Sequence, residues 1–426
     1  MSAGETQAHT GARAHYTLGV LLAIFVFSHI DRNILNILVE PIQSELGISD
    51  TAMGWLTGPA FAVFYASLAV PIARLADRIS RRSIVLVGVV LWSLVTAAQG
   101  MVRVFSHLVV ARVLVGVGEA TTSPASHSMI SDLYPPERRA MPLALFGSGG
   151  HIGTMLGYMI GGVVNDWMGW RIAFVVVGVP GLALALLAWA TVREPRRGVV
   201  EAQQDEREYG MGEVFRYLWS RRSFRHLNIS CILYVASIYG FNVWGPTFLI
   251  RVHGMTTSEA GLFFGPVTGI AGLLGSLFSG WLSDRLARRD VRYSMWIPAL
   301  GGVLAIPFGV AFLFAEDPVL ALGFYGCQVF VATFWMGPGF WACQGLAKLR
   351  MRAMAAAVLL MNVNLFGMAM GPVLIGSMND ALRGTYGEMG IRYSLLALCI
   401  PLLWAALHSL AANRTLAADL AAAGDA

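Results

Sequence analysis

Four ionisable residues stand where an apolar chain should hold none. Asp31 and Arg32 interrupt FVFSHIDRNILNILV, and Arg112 and Glu119 interrupt LVVARVLVGVGEA. Each costs about 2.5–3.5 kcal/mol at the centre of a membrane helix on insertion scales. Such expense points to proton or anion handling; the plainer reading is an ion-pair cluster locking helix 1 to helix 4. A helix that leaves the cytoplasm near Tyr16 carries Asp31 about 22 Å up, at 1.5 Å per residue. Helix 4 comes down from the far surface, which puts Arg112 about 9 Å below it by the same rise. Across about 30 Å of hydrocarbon these depths coincide, so Asp31 and Arg112 are expected to pair. Glu119 follows seven residues later on the same face, and Gly116 and Gly118 leave room between for water or ligand. Burial favours a neutral carboxyl and a nearby guanidinium favours a charged one. The expected chemistry is a relay in which Asp31 and Glu119 load and release protons while Arg112 changes partner. An anionic headgroup would then occupy Arg112 or Arg32, whose planar forks suit phosphate.

The elements that must position these groups follow from composition. Of 426 residues, 56% are apolar and 13% charged, against about 25% charged in a soluble globule. Apolar runs long enough to span a bilayer recur at 16–40, 52–76, 83–102, 106–131, 138–164 and 170–191. A second set covers 226–250, 257–282, 293–314, 318–346, 352–378 and 392–412. Between the sets, REPRR, DERE and RRSFR mark a charged linker, 193–225, with an amphipathic helix near Gly212–Trp219. The expected fold is an all-α membrane protein with twelve transmembrane helices in two parallel six-helix halves around a central cavity. The halves are 16–192 and 226–413, with cytoplasmic tails at 1–15 and 414–426.

Arginines gather on one side of this arrangement: Arg78, Arg81, Arg82, Arg138, Arg139, Arg285, Arg288, Arg289, Arg292, Lys348, Arg350 and Arg352. By the positive-inside rule that side is cytoplasmic, and both termini with it. The charges lie in short loops, not on one basic face, so no nucleic-acid partner is expected. The four cysteines sit in apolar runs without metal-ligand spacing, and no cofactor is expected beyond protons as coupling ion. The first fifteen residues lack a basic n-region and a small-residue cleavage site, so helix 1 reads as retained.

The halves repeat. Leu75–Ala76–Asp77–Arg78 with Arg81–Arg82 matches Leu282–Ser283–Asp284–Arg285 with Arg288–Arg289; Arg139–Ala140–Met141 matches Arg352–Ala353–Met354. Gly162 with Asn165–Asp166 matches Gly376 with Asn379–Asp380. The offsets are 207, 213 and 214 residues, which is a parallel repeat.

The stretch from Ala73 through Leu75, Asp77, Arg78, Arg81 and Arg82 resembles the signature loop of the major facilitator superfamily, with Ala73 and Ser80 in place of its glycines. Arg112 with Gly116 and Gly118, and Gly169–Trp170–Arg171 with Phe174, resemble further superfamily motifs. The resemblance implies a cytoplasmic gate at Asp77, Arg78, Arg81, Arg82, Asp284 and Arg285. His29–Ile30–Asp31–Arg32, Val115–Gly116–Val117–Gly118–Glu119–Ala120 with Ser123–Pro124–Ala125, and Asp132–Leu133–Tyr134–Pro135–Pro136–Glu137–Arg138–Arg139 resemble the spinster branch. Those proteins are associated with export of sphingolipid- and lysophospholipid-like amphiphiles. That resemblance implies a proton-driven transporter of a small amphiphilic substrate, working among membrane lipids in a plasma membrane, a bacterial inner membrane, as a monomer.

The second half offers aromatics and amides, with Tyr234, Asn242, Phe334, Trp335 and Asn362 as candidate substrate contacts beside Arg32 and Arg112. Glycine–proline pairs at Gly58–Pro59, Gly245–Pro246, Gly265–Pro266, Gly337–Pro338 and Gly371–Pro372 predict kinks. Gly149, Gly153, Gly157 and Gly161 form a small stripe suited to close helix contact. No zinc-protease, nucleophile-elbow, P-loop or dinucleotide motif is present, which weighs against an intramembrane enzyme. A transport-dead receptor and a proton-coupled multidrug or organic-anion exporter stay open as alternatives.

Overall fold

A computed structural model describes residues 11–195, 210–348 and 351–424. The predicted tail and linker residues 1–10 and 196–209, and Arg350 among the predicted basic positions, lie outside the described residues. The described chain folds into helices throughout. The first half contains α1 (Ala12–Ile37), α2 (Asp50–Thr57 continued by Pro59–Arg78) and α3 (Arg81–Gln99). It goes on with α4 (Phe105–Glu119 continued by Thr122–Leu133), α5 (Ala140–Met168) and α6 (Trp170–Thr191). The second half contains α7 (Arg222–His253), α8 (Thr257–Ala287), α9 (Tyr293–Phe314) and α10 (Pro318–Ala332 and Met336–Gly345 around a 3-10 turn). It closes with α11 (Arg352–Asn362 and Ala369–Tyr386 around a π-helical stretch) and α12 (Cys399–Gly424). Among the described residues nine segments are long and apolar enough to cross a membrane, and the last of them, Arg352–Ala423, takes in both α11 and α12. The molecule is a multi-pass membrane protein with twelve spans.

Local chemistry sets the helix ends. The Ser49, Ser80 and Asp317 side chains accept from the backbone amides of Ala52, Ser83 and Leu320, and Thr256 with Glu259 closes a capping box. One residue, Gly169 at φ +83°, joins α5 to α6, a conformation a side chain would strain. The outer surface keeps large apolar side chains bare, including Val87, Trp167, Leu186, Trp189, Val319 and Ile400. Exposure on that scale is met by lipid, not water.

In the first half α1 packs on α5, α3 on α6, and α4 on both α2 and α3. The glycine stripe on α5 faces α1: a Cβ on Gly153 would lie 2.4 Å from the Val26 carbonyl oxygen and 2.5 Å from the His29 Cβ. In the second half α7 packs on α12 and α11, and α9 on α10 and α12. The halves meet along two crossed pairs, α5 on α8 and α2 on α11, with α1 touching α7.

One end of the bundle is basic, and both ends of the described chain lie there. His15 near the start bonds Tyr134 at 2.9 Å, and Asp419 near the finish accepts from the Ser223 amide at 3.0 Å. The last helix runs past the expected boundary at 413 to Gly424, held by Asp419 and by buried Leu416. The amphipathic linker helix spans Met211–Ser220 and buries Val214 and Leu218.

At the basic end Glu194, just beyond α6, accepts from the Arg82 amide (2.8 Å), the Ser80 hydroxyl (2.8 Å) and the Arg81 Nε (2.9 Å). Burial alone would push its carboxyl up, but the Arg82 amide, the Arg81 guanidinium and the Ser80 hydroxyl outweigh that and hold it below the usual range. A carboxyl whose pKa falls on folding contributes stability above its unfolded value and loses it as pH falls through its folded value. Denaturation midpoints of wild type should therefore drop between about pH 5 and pH 3 more steeply than those of Glu194→Gln, whose midpoint at pH 7 is already lower. Parallel curves would contradict this role.

Candidate functional site

The four intramembrane ionisable groups converge where α1, α2, α3 and α4 meet. Arg32 donates twice to one oxygen of Glu119, from Nη2 at 2.6 Å and from Nε at 3.2 Å. Its guanidinium lies 4.6 Å from the Phe61 ring centroid and 4.6 Å from that of Tyr65, two rings stacked on α2. Arg112 lies 5.3 Å from the Phe61 centroid, so two cations share one ring. Asp31 accepts a hydrogen bond from the Thr96 hydroxyl on α3. Arg112 reaches α1 only through a long contact, 3.5 Å, to the Arg32 carbonyl oxygen.

The expected Asp31–Arg112 ion pair is absent among the described residues, and the pairing is Arg32 with Glu119. Neighbours on a helix point about 100° apart, so Asp31 turns toward α3 while Arg32 turns toward α2 and α4. Gly116 and Gly118 leave no gap for a ligand either. A Cβ on Gly116 would lie 2.9 Å from the Phe61 carbonyl, and one on Gly118 would lie 3.1 Å from Trp92. The small residues let α2 and α3 close on α4.

The pairing is unequal. Asp31, Arg112 and Glu119 are each 1% exposed, yet Asp31 Oδ1 and the Nε and Nη1 of Arg112 have no hydrogen-bond partner among the described residues, while Ser28 lies within hydrogen-bonding reach of the Glu119 carboxyl. Two unmatched N–H positions on a buried guanidinium are costly, because each loses its hydrogen bonds to water without gaining a protein acceptor. Arg32 is the most accessible of the four, 7% exposed, and half-buried Tyr239 of the second half lies within its electrostatic reach.

The second half lacks this charge set. The repeat offset of 213 residues places Tyr325 where the first half has Arg112, and Ala332 where it has Glu119. Both α4 and α10 break at this level, after Glu119 and after Ala332. The Tyr325 hydroxyl donates to Asn242 Oδ1 at 3.2 Å. Pro246 has no N–H to bond the Asn242 carbonyl four residues back. Tyr158 of the first half supplies the missing donor at 2.6 Å, and Asn36 donates to Tyr158 at 3.4 Å. Thr96, Tyr65, Tyr158 and Tyr325 carried no sequence signal apart from polarity within apolar runs.

Of the other candidates, Asn242 sits at the interface between the halves. Tyr234 is buried and donates to the Pro298 carbonyl of α9, and Asn362 donates to Asn228 of α7 at 3.3 Å. Phe334 packs between α8 and α9. These three therefore serve packing inside the second half in this structure. Trp335 is buried with its Nε1 unpartnered.

At the basic end, Arg81 is buried and bonds Asp132, Glu194 and the Ser128 Oγ (2.9 Å), while Arg82 donates to the Trp189 carbonyl. Both bind the first half to itself. Arg78, Asp284 and Arg285 are exposed, with Arg285 lying 5.6 Å from the Trp281 centroid. The side chain of Asp77 lies outside those described. Among the described side chains of the expected gate, the bonds of Arg81 and Arg82 stay within the first half, and ties between the halves stand at the opposite end. There Arg251 of α7 bonds Asp50 (2.6 Å), Gln43 (3.1 Å) and Glu40 of the first half.

A family model for the Major Facilitator Superfamily matches residues 21–372. An MFS-type efflux pump of Mycolicibacterium smegmatis is 32% identical over 391 residues, 92% of this chain and 90% of that protein. Protein spinster homolog 3 of Danio rerio is 29% identical over 405 residues, 89% of this chain and 80% of that protein. Among solved structures, a bacterial homologue of the human lysosomal transporter spinster, inward-facing and unoccupied, superposes with a TM-score of 0.88 at 28% identity. That match covers 96% of this chain and 98% of the other. A helical fold, a buried charge constellation and relatives that are transporters, not enzymes, place the chain in the Major Facilitator Superfamily, as a spinster-like member.

Proposed function

We propose that this protein is a proton-coupled secondary transporter that moves amphiphilic, lipid-like molecules by alternating access. Its basic end would face the cytoplasm of a bacterial inner membrane, as the arginine bias implies. One observation carries the reading: buried Asp31 and Arg112 keep polar atoms without partners among the described residues inside the helical bundle, beside the buried Arg32–Glu119 pair. A structural ion-pair cluster would satisfy those atoms; a relay needs them free. Protonating Glu119 would release Arg32, and protonating Asp31 would leave Arg112 as the stronger lure for an anion. An anionic headgroup would bond these guanidiniums while its chain lay along the aromatic and aliphatic second half. Similarity to spinster proteins supports a lysophospholipid or sphingolipid type of substrate.

Purified protein in liposomes with an imposed pH gradient should accelerate movement of lysophospholipid or sphingosine-type lipids. Asp31→Asn and Glu119→Gln should each reduce gradient-driven flux at least tenfold. Gradient-driven flux that persists in both variants refutes the relay. The relation to an efflux pump favours a second reading, export of drug-like or organic-anion molecules. Acceleration of cationic dyes without lipids would select it.

A further inference from the structure

The repeat does more than duplicate helices at the end opposite the arginine clusters. Asp380, at the end of α11, accepts from the backbone amides of Asp50 (3.1 Å) and Thr51 (2.8 Å) and from the Thr51 hydroxyl (2.5 Å). Those amides open α2 in the other half. Asp166, at the end of α5, accepts from the Ser258 amide at 2.8 Å, which opens α8, again in the other half. Asp166 and Asp380 are repeat partners at an offset of 214, and Thr51 and Ser258 are partners at 207.

The glycines repeat the arrangement. A Cβ on Gly376 would lie 2.3 Å from the Asp50 carbonyl oxygen, and one on Gly162 would lie 2.5 Å from the Thr257 carbonyl oxygen. Asp50 and Thr257 are again partners at 207. Glycine admits the opposing helix, and the carboxylate four residues later receives its free amides. The first amides of a helix have no partner inside it, and its dipole favours an anion there. The two contacts differ in one respect. Asp50 is braced by Arg251 and by Gln43 (2.7 Å), whereas Thr257, its counterpart, has no carboxylate.

We propose that Asp166 and Asp380 form one two-part gate. Each docks across the interface as a cap on the opposite half, together they hold this end shut, and both release when the halves rock apart. The gate rests on the alternating-access reading above and assigns positioning residues to it, independent of the substrate.

Amide hydrogen exchange with mass spectrometry, on protein in lipid nanodiscs without substrate or gradient, tests it. The peptides covering residues 49–57 and 256–264 report the two docked helix starts. Asp380→Asn should raise exchange about tenfold in both peptides, because opening one contact frees the other. Asp166→Asn, at an exposed position that tolerates change, should do the same. A rise confined to the peptide facing the altered residue, or no rise, overturns the gate and leaves two local caps. Since no transported molecule is involved, this result is separable from failure of the proton relay.

Discussion

Arg32→Met should destabilise the protein by about 3–5 kcal/mol, the loss found when one member of a buried ion pair is removed and its partner is left unpaired. Glu119 is enclosed, and Arg32 is the cation that bonds it. The size of the effect comes from the stranded carboxylate, not from the intrinsic strength of the pair. Replacing both residues, as Arg32→Met with Glu119→Leu, should therefore recover most of the lost stability, since an apolar pair of similar volume is often neutral or better. Methionine would still lie against Phe61 and Tyr65. Chemical denaturation in detergent reads the stability and the liposome assay reads transport. The double variant should fold well and carry nothing along a pH gradient. If it transports as wild type does, the pair is only a clamp between α1 and α4.

Much of this was legible because membrane helices announce themselves. Twelve apolar runs became twelve spans, since no polar backbone can face hydrocarbon unless it bonds within its own helix. The four buried charges were legible by their expense. Their partners were not. Counting residues placed Arg112 at the level of α1 where Asp31 and Arg32 lie, and its contact with the Arg32 carbonyl is at that level. Depth says nothing about rotation around a helix axis, and rotation decided that Arg32, not Arg112, binds a carboxylate. Glu194 was invisible for a different reason. It lies in a charged linker where every acid looks solvated, and only the fold brings it to the start of α3. Asp166 and Asp380 were visible as repeated residues, but what they touch depends on how the halves face each other.

The asymmetry of the halves follows from the same comparison. A duplicated chain began with equivalent positions, and the first half has Arg112 where the second has Tyr325 bonded to Asn242. One half thus concentrates buried charge, and the other has neutral residues at the equivalent positions. An amphiphile, with one polar end and one apolar body, matches that division better than a sugar, whose hydroxyls need polar partners on every side.

A pair of identical substitutions on one helix separates folding from gating. Gly153→Val and Gly162→Val lie nine residues apart on α5. At Gly153 the new side chain would strike Val26 and His29 of α1, which belong to the same half and have nowhere to go. Overpacking of that kind costs about 1–3 kcal/mol or more, so the folded yield and the denaturation midpoint should fall. At Gly162 the nearest atoms belong to Thr257 and Gly261 of the opposite half, 2.5 and 3.2 Å away. Under the alternating-access reading proposed above, that half swings aside as a body. The Gly162→Val protein should keep a midpoint close to wild type. It should lose transport by roughly 5- to 150-fold, because about 1–3 kcal/mol is then added to every closure of this end. Equal losses of stability in the two variants would show that the α5–α8 contact is part of the fixed core, and that the halves do not separate there.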